Sequence, residues 1–245
     1  MINTELMRQG ALELGIELGG RETEIFVRLA ESLAEANRRF NLTAITREDR
    51  IVTEHFLDSL TVLSAADPRG KRALDVGTGG GYPGLPVALV CPGARCTLMD
   101  ATAKKIRYID TVSRDLGLAN VTGVAARAEE AGRLPEYREA YDIVYARAVS
   151  DMLILCELCL PFVKPGGLFV AMKSAGADEE VKRAERQIAK LGGRIKDILY
   201  LDIPGTSIRR SLIVTEKLRR TPPEFPRDYA RIKRQAKTMI PAPKP

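Results

Sequence analysis

The sequence contains a single histidine, His55, among its 245 residues. Zinc sites built from histidine need several histidines or a matching set of cysteines, and a Ser-His-Asp triad would have to use this one residue. Histidine-based zinc chemistry and triad hydrolysis are therefore both disfavoured.

Cysteine is also scarce, since the chain has only Cys91, Cys96, Cys156 and Cys159. The last two have the spacing of a redox pair, but they lie in the apolar run from Met152 to Phe162, which predicts a helix. We therefore expect them to pack in the core. A four-cysteine zinc site would have to join two pairs about 60 residues apart, so no metal site is predicted.

Long hydrophobic runs are missing as well. The longest, Leu85 to Cys91, is far shorter than the roughly 20 residues that span a bilayer. The first ten residues lack the basic and apolar regions of a signal peptide. With 45% hydrophobic and 29% charged residues, the composition is that of a globular protein. We expect a soluble cytoplasmic protein with no membrane partner.

Positive charge is concentrated at the C-terminus. Although the chain carries +6 overall, residues 217–245 carry +7, because this segment has nine basic residues and only two acidic ones, Glu224 and Asp228. The nine are Lys217, Arg219, Arg220, Arg227, Arg231, Lys233, Arg234, Lys237 and Lys244. The other 216 residues sum to −1, so a polyanionic partner is expected to meet the tail first.

Composition and pattern divide the chain into an N-terminal helical lobe (1–66), a core (67–216) and a basic, proline-rich tail (217–245). In the lobe, apolar residues three and four apart predict a helix over Glu22 to Phe40, and a second helix is predicted from about Asp49 to Ser64. The prolines of the tail predict an extended segment from Thr221 onward that lies over the surface.

Short apolar runs rich in β-branched residues alternate with helical stretches through the core. They are Ala73–Val76, Cys96–Met99, Val121–Ala125, Tyr141–Tyr145 and Leu168–Met172. This alternation predicts right-handed βαβ units and a parallel sheet, hence an α/β fold. Two further runs, Ile195–Ile203 and Ser211–Thr215, are joined by a short turn and predict an antiparallel hairpin that closes a seven-stranded sheet.

A glycine-rich loop follows the first of these strands and precedes a helix, the context of a nucleotide-binding turn. It can be read in two frames. Gly79-x-Gly81-x-x-Gly84 matches a dinucleotide fingerprint and favours an NAD-dependent oxidoreductase. Asp75-x-Gly77-x-Gly79-x-Gly81 matches the first motif of S-adenosylmethionine methyltransferases.

Two features favour the methyltransferase frame. Asp75 ends the strand just before the first glycine, where a carboxylate suits a cationic amino acid and sulfonium and would repel a pyrophosphate. Pro83 and Pro86 remove N–H groups from the start of the helix, which is poor provision for a phosphate. Asp100, at the end of the second strand, suits ribose hydroxyls in either cofactor class.

Several further motifs occur in a fixed order between residues 20 and 227. They are Asn41-Leu42-Thr43, His55-Phe56-Leu57-Asp58-Ser59-Leu60, Tyr82-Pro83-Gly84-Leu85-Pro86, Asp100–Lys105, Arg127–Glu130, Ala146–Val149, Met172-Lys173 and Arg210–Val214. As an ordered set they resemble the bacterial small-subunit ribosomal RNA guanine-N7 methyltransferases, the RsmG family, also called glucose-inhibited division protein B. The C-terminus departs from that family: Tyr229 to Ile240 keeps its basic character without residue-level correspondence.

The resemblance implies a class I S-adenosylmethionine-dependent methyltransferase fold, Rossmann-like, with S-adenosyl-L-methionine as the cofactor and 16S rRNA or a small-subunit precursor as the partner. We expect a monomer. It implies that Gly77 and Tyr82 contact the cofactor, and that Arg147 lies at the reaction end of the pocket. It further implies that Ala101, Thr102 and Ala103 line the ribose and adenine side, and that Ala128 and Glu129 hold the adenine edge.

Guanine N7 carries an in-plane lone pair and no proton, so its methylation needs positioning rather than a general base. Arg147 and Lys173, both at strand ends beside the crevice, are the candidate catalytic residues. Asn41 suits a turn that ends a helix, and His55 could bond Asp58 or contact the substrate. A small-molecule methyltransferase and a non-catalytic rRNA-binding module remain as alternatives.

Overall fold

The computed structural model describes residues 2–147 and 149–239, without the side chain of Phe40. Ala148 of the Ala146–Val149 motif lies outside the described residues, as does the end of the tail from Ile240 to Pro245.

The described residues contain seven strands, which form one sheet. Their bounds are Arg72–Val76 (β1), Arg95–Asp100 (β2), Val121–Ala125 (β3), Tyr141–Arg147 (β4), Val163–Ser174 (β5), Gly193–Asp202 (β6) and Arg209–Lys217 (β7). Their order is β3-β2-β1-β4-β5-β7-β6. The first five strands pair in parallel, and β7 runs antiparallel to β5 and β6. The predicted parallel sheet closed by a hairpin is confirmed.

Helices cover both faces of this sheet. They are Thr4–Glu13 (α1), Gly20–Phe40 (α2), Glu48–Arg50 (α3), Asp58–Leu60 (α4), Gly84–Val90 (α5), Ala103–Asp115 (α6), Ala128–Ala131 (α7), Met152–Cys159 (α8), Asp178–Lys190 (α9) and Tyr229–Met239 (α10). Successive side chains of a strand point to opposite faces, so Ala73 and Leu74 of β1 enter different cores. Ala73 packs in the cluster that contains α2 and α6, and Leu74 packs in the cluster that contains α8, α9 and α10.

The N-terminal lobe contains both predicted helices. The first, α2, ends at Asn41, which adopts the left-handed conformation with φ 49°, as suits a residue that ends a helix. The second is a mixed helical segment: its middle, Ile51–Leu57, is a π-helix between α3 and α4, and its end, Thr61–Ser64, is a 3-10 turn. Phe26 of α2 and Phe56 of the π-helix contact each other with ring centroids 4.9 Å apart.

The prediction of an extended tail was wrong for Tyr229–Met239, which is the helix α10. The reason is packing: Ile232 and Ala236, four residues apart, are buried in the same core cluster as α8. The tail also begins inside the sheet, because Lys217 is the last residue of β7 and is fully buried.

The four cysteines are free and buried, which confirms that they belong to the core. Burial raises the pKa of the Cys156 and Cys159 thiols, so neither is an activated nucleophile. Within the described ranges, no cluster of side chains is arranged to hold a metal ion. Nor does any described helix have the length and apolar character needed to cross a bilayer.

Candidate active site

The glycine loop joins β1 to α5 at the carboxyl edge of the sheet. The N–H groups of Gly77 and Thr78 donate to the carbonyl of Met99 at the end of β2, at 2.8 and 3.0 Å. Gly77 has φ +73°, and a Cβ built on it would lie 2.8 Å from Cγ2 of Val149. Glycine therefore provides both the backbone conformation and the free space at this turn.

Asp75, in β1, accepts hydrogen bonds from the glycine loop. It is 2% exposed, and its Oδ2 accepts bonds from the Thr78 hydroxyl at 2.6 Å and the Gly84 N–H at 2.9 Å. Burial raises the pKa of this carboxyl to about 6. Asp75 thus ties both ends of the glycine loop together, and the side chains that line the adjoining cleft do not include it.

Asp100 connects the glycine loop to the start of α6. Its Oδ2 accepts from the Gly79 N–H at 3.1 Å and from Lys105 Nζ at 3.2 Å, and its Oδ1 accepts from the Thr102 N–H at 2.9 Å. A carboxylate offers about four lone-pair sites, so this arrangement leaves Asp100 able to accept from a ligand hydroxyl. Ala103 begins α6 directly after this contact.

A cleft lies across the carboxyl ends of β1, β2 and β3, where open α/β sheets bind ligands. Of the predicted cofactor residues, it is lined by Gly77, Asp100, Ala101, Ala128 and Glu129. It is also lined by Val149, Leu158 and Tyr229, none of which was predicted from the sequence to contact the cofactor. A signal for Tyr229 was present: Tyr229, Ile232 and Ala236 are three and four residues apart, the spacing of one helical face.

Glu129 and Arg127 form an ion pair at one side of this cleft. Arg127 Nε donates to Glu129 Oε1 at 2.6 Å, and the Glu129 side chain is nearly buried. The guanidinium of Arg127 also lies 5.5 Å from the ring centroid of Tyr229, the first residue of α10. The side that the resemblance assigns to adenine thus combines a paired carboxylate with an aromatic ring.

A second group of side chains, which we call the Arg147 cluster, joins the lobe to the sheet. It contains Arg147 of β4, Tyr82 of the glycine loop, His55 and Asp58 of the mixed helical segment, and Arg210 of β7. His55 stacks on Tyr82 with ring centroids 4.5 Å apart, and the Arg147 guanidinium lies 5.4 Å from the Tyr82 ring centroid. The cluster therefore holds Tyr82, and with it the end of the glycine loop that precedes α5.

Asp58 carries the negative charge of the Arg147 cluster and pairs with both of its arginines. This carboxylate is 1% exposed and accepts from Arg147 Nη1 at 3.1 Å and from Arg210 Nε at 3.0 Å. His55 does not bond Asp58; it contacts the Thr43 hydroxyl through Nε2 at 3.0 Å and Arg147 Nη2 through Nδ1 at 3.3 Å. His55 lies in the π-helix and Asp58 directly follows it, and such irregularities often occur at functional sites.

His55 is held in its neutral form. Burial and the positive charge of Arg147 lower the pKa of His55 to about 3. The contact geometry agrees, since Arg147 can only donate, and His55 Nδ1 must therefore be an unprotonated acceptor. The motif residues Thr43, His55 and Tyr82 meet here although they are far apart in sequence.

The two candidate catalytic residues are both engaged by protein groups. Arg147 also donates to the Glu54 carbonyl at 2.9 Å, and its side chain is 16% exposed. Lys173 Nζ contacts the Ser150 carbonyl and Glu180, both at 2.7 Å, and is 13% exposed. The Ser150 contact connects Lys173 to the segment after β4, which includes the cleft residue Val149.

Several solved methyltransferase structures share this fold. M. jannaschii TYW2 in complex with AdoMet superposes with a TM-score of 0.54 at 15% identity, over 71% of this chain and 80% of that chain. A SAM dependent methyltransferase from Aquifex aeolicus gives a TM-score of 0.52 at 16% identity, over 74% of this chain and 97% of that one. These similarities confirm the class I methyltransferase fold.

The family model described as rRNA small subunit methyltransferase G matches residues 22–208. The chain belongs to this family. A family member from Deinococcus deserti is 44% identical over 225 residues, 91% of this chain and 92% of that protein. Another, from Acetivibrio thermocellus, is 40% identical over 223 residues, again 91% of this chain and 92% of that protein.

Membership of the rRNA small subunit methyltransferase G family confirms the resemblance and the enzyme class predicted from the sequence. It also confirms S-adenosylmethionine as the cofactor, and so decides between the two frames of the glycine loop. The individual roles of the site residues, and the division of the chain at residues 66 and 216, stay predictions.

Proposed function

We propose that the protein transfers a methyl group from S-adenosylmethionine to N7 of a guanosine in 16S rRNA. The observation that carries the proposal is the cleft at the carboxyl ends of β1 to β3, where Gly77, Asp100 and Glu129 converge in a chain of this family. Both the family relationship and the chemistry of the cleft support the same donor.

The cleft residues suit the parts of this cofactor. Gly77 leaves the space that a Cβ would fill, and Asp100 offers carboxylate lone pairs to ribose hydroxyls. Glu129 and the apolar residues Ala101 and Ala128 suit the adenine side. When bound, S-adenosylmethionine supplies a methyl group on a positively charged sulfur.

The Arg147 cluster agrees with an acceptor that needs no proton removed. His55 is neutral, but both of its ring nitrogens are already engaged, by Thr43 and Arg147. Methylation of a hydroxyl would require a base beside the acceptor, whereas guanine N7 presents a lone pair directly. The task of the described residues is then to position the base in line with the methyl group and to exclude water.

The RNA partner is supported by α10. Its exposed residues Arg231, Lys233, Arg234 and Lys237 form a basic surface without an acidic residue between Tyr229 and Met239. This surface lies on the same helix as the cleft residue Tyr229, so phosphates bound to it would lie near the cofactor. In an A-form helix N7 faces a groove that side chains do not reach, so the target guanosine is single-stranded or flipped out of its stack.

Methyl-group transfer from isotopically labelled S-adenosylmethionine tests the proposal. Free 16S rRNA, isolated small subunits, subunit precursors and a panel of small molecules are offered as acceptors, and labelled RNA is digested to nucleosides for mass spectrometry. We expect the label in 7-methylguanosine from one of the RNA acceptors. We also propose that the protein acts as a monomer in the cytoplasm.

Three other results contradict the proposal, each in a different way. Label in a small molecule without RNA identifies a small-molecule methyltransferase. RNA binding without transfer to any acceptor identifies a non-catalytic binding module. Label on another atom of the RNA retains the enzyme class and refutes N7 as the acceptor.

A further inference from the structure

The segment after β7 is attached to the core at several points. Arg138, from the loop before β4, donates to the carbonyl oxygens of Thr221, Pro222 and Phe225 at 2.7–3.1 Å. Phe225 is 2% exposed and belongs to the core cluster on the α8 side of the sheet. A segment held in this way is part of the folded domain rather than an appended tail.

A buried ion pair attaches the same segment just before α10. Glu157 of α8 is fully buried, and Arg227 contacts both of its carboxylate oxygens, with Nε at 2.9 Å from Oε1 and Nη2 at 2.6 Å from Oε2. The Arg227 N–H also donates to Glu157 at 2.9 Å, and so does Gln187. A bidentate pair of this kind fixes the orientation as well as the position of the chain.

This attachment places Tyr229, two residues later, in the wall of the cleft. Tyr229 packs against the core cluster that contains α8, α9 and α10, and the guanidinium of Arg127 lies 5.5 Å from the centroid of its ring. Arg127 in turn holds Glu129 at 2.6 Å. Tyr229 therefore lies at the same side of the cleft as Ala128 and Glu129, with which it lines the wall.

We propose that Tyr229 is a cofactor-binding residue: its ring forms the wall of the adenine end of the cleft, and the Arg227–Glu157 pair positions it there. The proposal rests on the proposed use of this cleft for S-adenosylmethionine. Aromatic rings suit the faces of nucleobases, and the adjoining apolar side chains Leu158 and Val149 continue the same wall. The C-terminal segment thus completes the cofactor site, in addition to presenting the basic face of α10.

Calorimetric titration of the full-length chain tests this role with two ligands, S-adenosylmethionine and 5′-methylthioadenosine, which lacks the amino-acid end. We expect Tyr229→Ala to raise the Kd of both ligands by about tenfold, because the variant has no ring to stack on the adenine of either ligand. Tyr229→Phe retains the ring, and its Kd values should stay within twofold of the wild-type values.

Ile232→Ala is the matched structural control. Ile232 is the 2% exposed core residue one turn further along α10, and it is not part of the cleft wall. Its replacement destabilises the packing of α10 without removing the ring, so both Kd values should change by less than twofold well below the melting temperature.

Two outcomes overturn the proposal. If Tyr229→Ala leaves both Kd values unchanged, the ring is not part of the cofactor site. If Ile232→Ala weakens binding as much as Tyr229→Ala, the docking of the helix matters and the ring itself does not. Failure of the wild-type chain to bind S-adenosylmethionine is a separate result, which refutes the proposed function and this role together.

Discussion

At the scale of single residues, Gly77 is the position where the sequence and the structure agree in most detail. The glycine motif marks it from sequence, and the structure shows both a positive φ and a neighbour, Val149, that a Cβ would meet. Val149 itself lines the cleft. A side chain at Gly77 would therefore strain the backbone and also displace Val149 in the wall of the cleft.

Gly77→Ala is expected to abolish measurable binding of S-adenosylmethionine, because the added Cβ lies 2.8 Å from Val149 and displaces the cleft wall. Gly15→Ala is the control, since Gly15 has φ +75° with nothing within 4 Å of an added Cβ. Gly15→Ala should cost about 1 kcal/mol of folding stability through backbone strain, and Gly77→Ala should cost at least as much, because it adds the contact with Val149. Calorimetry and urea unfolding measure the two effects, and equal affinity in the two variants would contradict the prediction.

His55 is the residue whose ionisation can be observed without ambiguity, because it is the only histidine in the chain. With a pKa of about 3, its imidazole stays neutral above pH 5. In protein with labelled histidine and no histidine tag, the single imidazole signal should not titrate between pH 8 and pH 5. A midpoint near 6.5 by NMR would show that the ring is exposed to solvent, and one well above 6.5 would show that it is paired with a carboxylate.

The same shift makes the folded state sensitive to acid. The unfolded chain takes up a proton at His55 below about pH 6.5 and the native chain does not, so stability falls as pH decreases from 6.5 toward 3, by at most about 1.4 kcal/mol per unit. Asp75 has the opposite effect between pH 6 and 3.8, since its native pKa of about 6 is raised. In urea unfolding, wild type should therefore lose stability relative to His55→Gln as pH falls from 7 to 5.

At the scale of elements, the mixed helical segment from Glu48 to Ser64 is the part that attaches the lobe to the sheet. It carries Asp58, which contacts Arg147 of β4 and Arg210 of β7, two strands on either side of β5. One buried carboxylate thereby joins the lobe to the carboxyl edge of the sheet, where the cleft lies.

Asp58→Asn should destabilise the protein by about 3 kcal/mol, because it leaves two poorly exposed guanidinium groups without their countercharge. Asp202→Asn is the control: Asp202 contacts Arg209 Nε at 3.0 Å, the same distance, but both side chains are more than half exposed. Loss of this exposed pair should cost less than about 1 kcal/mol. Urea unfolding of both variants gives the comparison, and similar losses would mean that the Asp58 pairs contribute little.

At the scale of the whole molecule, the charge of +7 assigned to the tail is not all available to a partner. Lys217 is fully buried, where Nζ contacts the carbonyl oxygens of Leu160 and Val163, and burial lowers its pKa to about 8. Arg227 neutralises Glu157. The basic surface that remains is mainly the exposed side of α10, beside the cleft.

Removal of three charges from this surface, by Lys233→Ala, Arg234→Ala and Lys237→Ala together, should weaken rRNA binding. The slope of log K against log salt is negative, and its magnitude should decrease by up to about 2–3. Each RNA phosphate that the variant no longer neutralises accounts for about 0.7–0.9 of this decrease. S-adenosylmethionine binding should not change. Filter binding at several salt concentrations measures the slope.

The matched control removes the same charge at the opposite edge of the sheet, by Arg69→Ala, Lys71→Ala and Arg95→Ala. These exposed residues lie at or just before the amino ends of β1 and β2, away from the cleft. Their replacement should leave the salt slope nearly unchanged. An equal decrease in both triple variants would show that net charge, rather than α10, determines RNA binding.

Sequence alone determined the strands, their parallel or antiparallel direction, the glycine loop and the family, because each depends on local spacing. The alternation of short apolar runs with helical stretches, the glycines at 77, 79 and 81, and the ordered motifs are all visible without coordinates. The apolar positions of α10 were visible too, but the surrounding prolines favoured an extended tail.

Tertiary structure alone decided which distant residues meet. Arg210 contacts Asp58 across 152 positions and Arg147 contacts Glu54 across 93, and no local spacing encodes either pair. The same holds for the burial of Lys217 and for the place of Tyr229 in the cleft. Such contacts depend on how helices and strands pack against one another, and packing is a property of the whole fold.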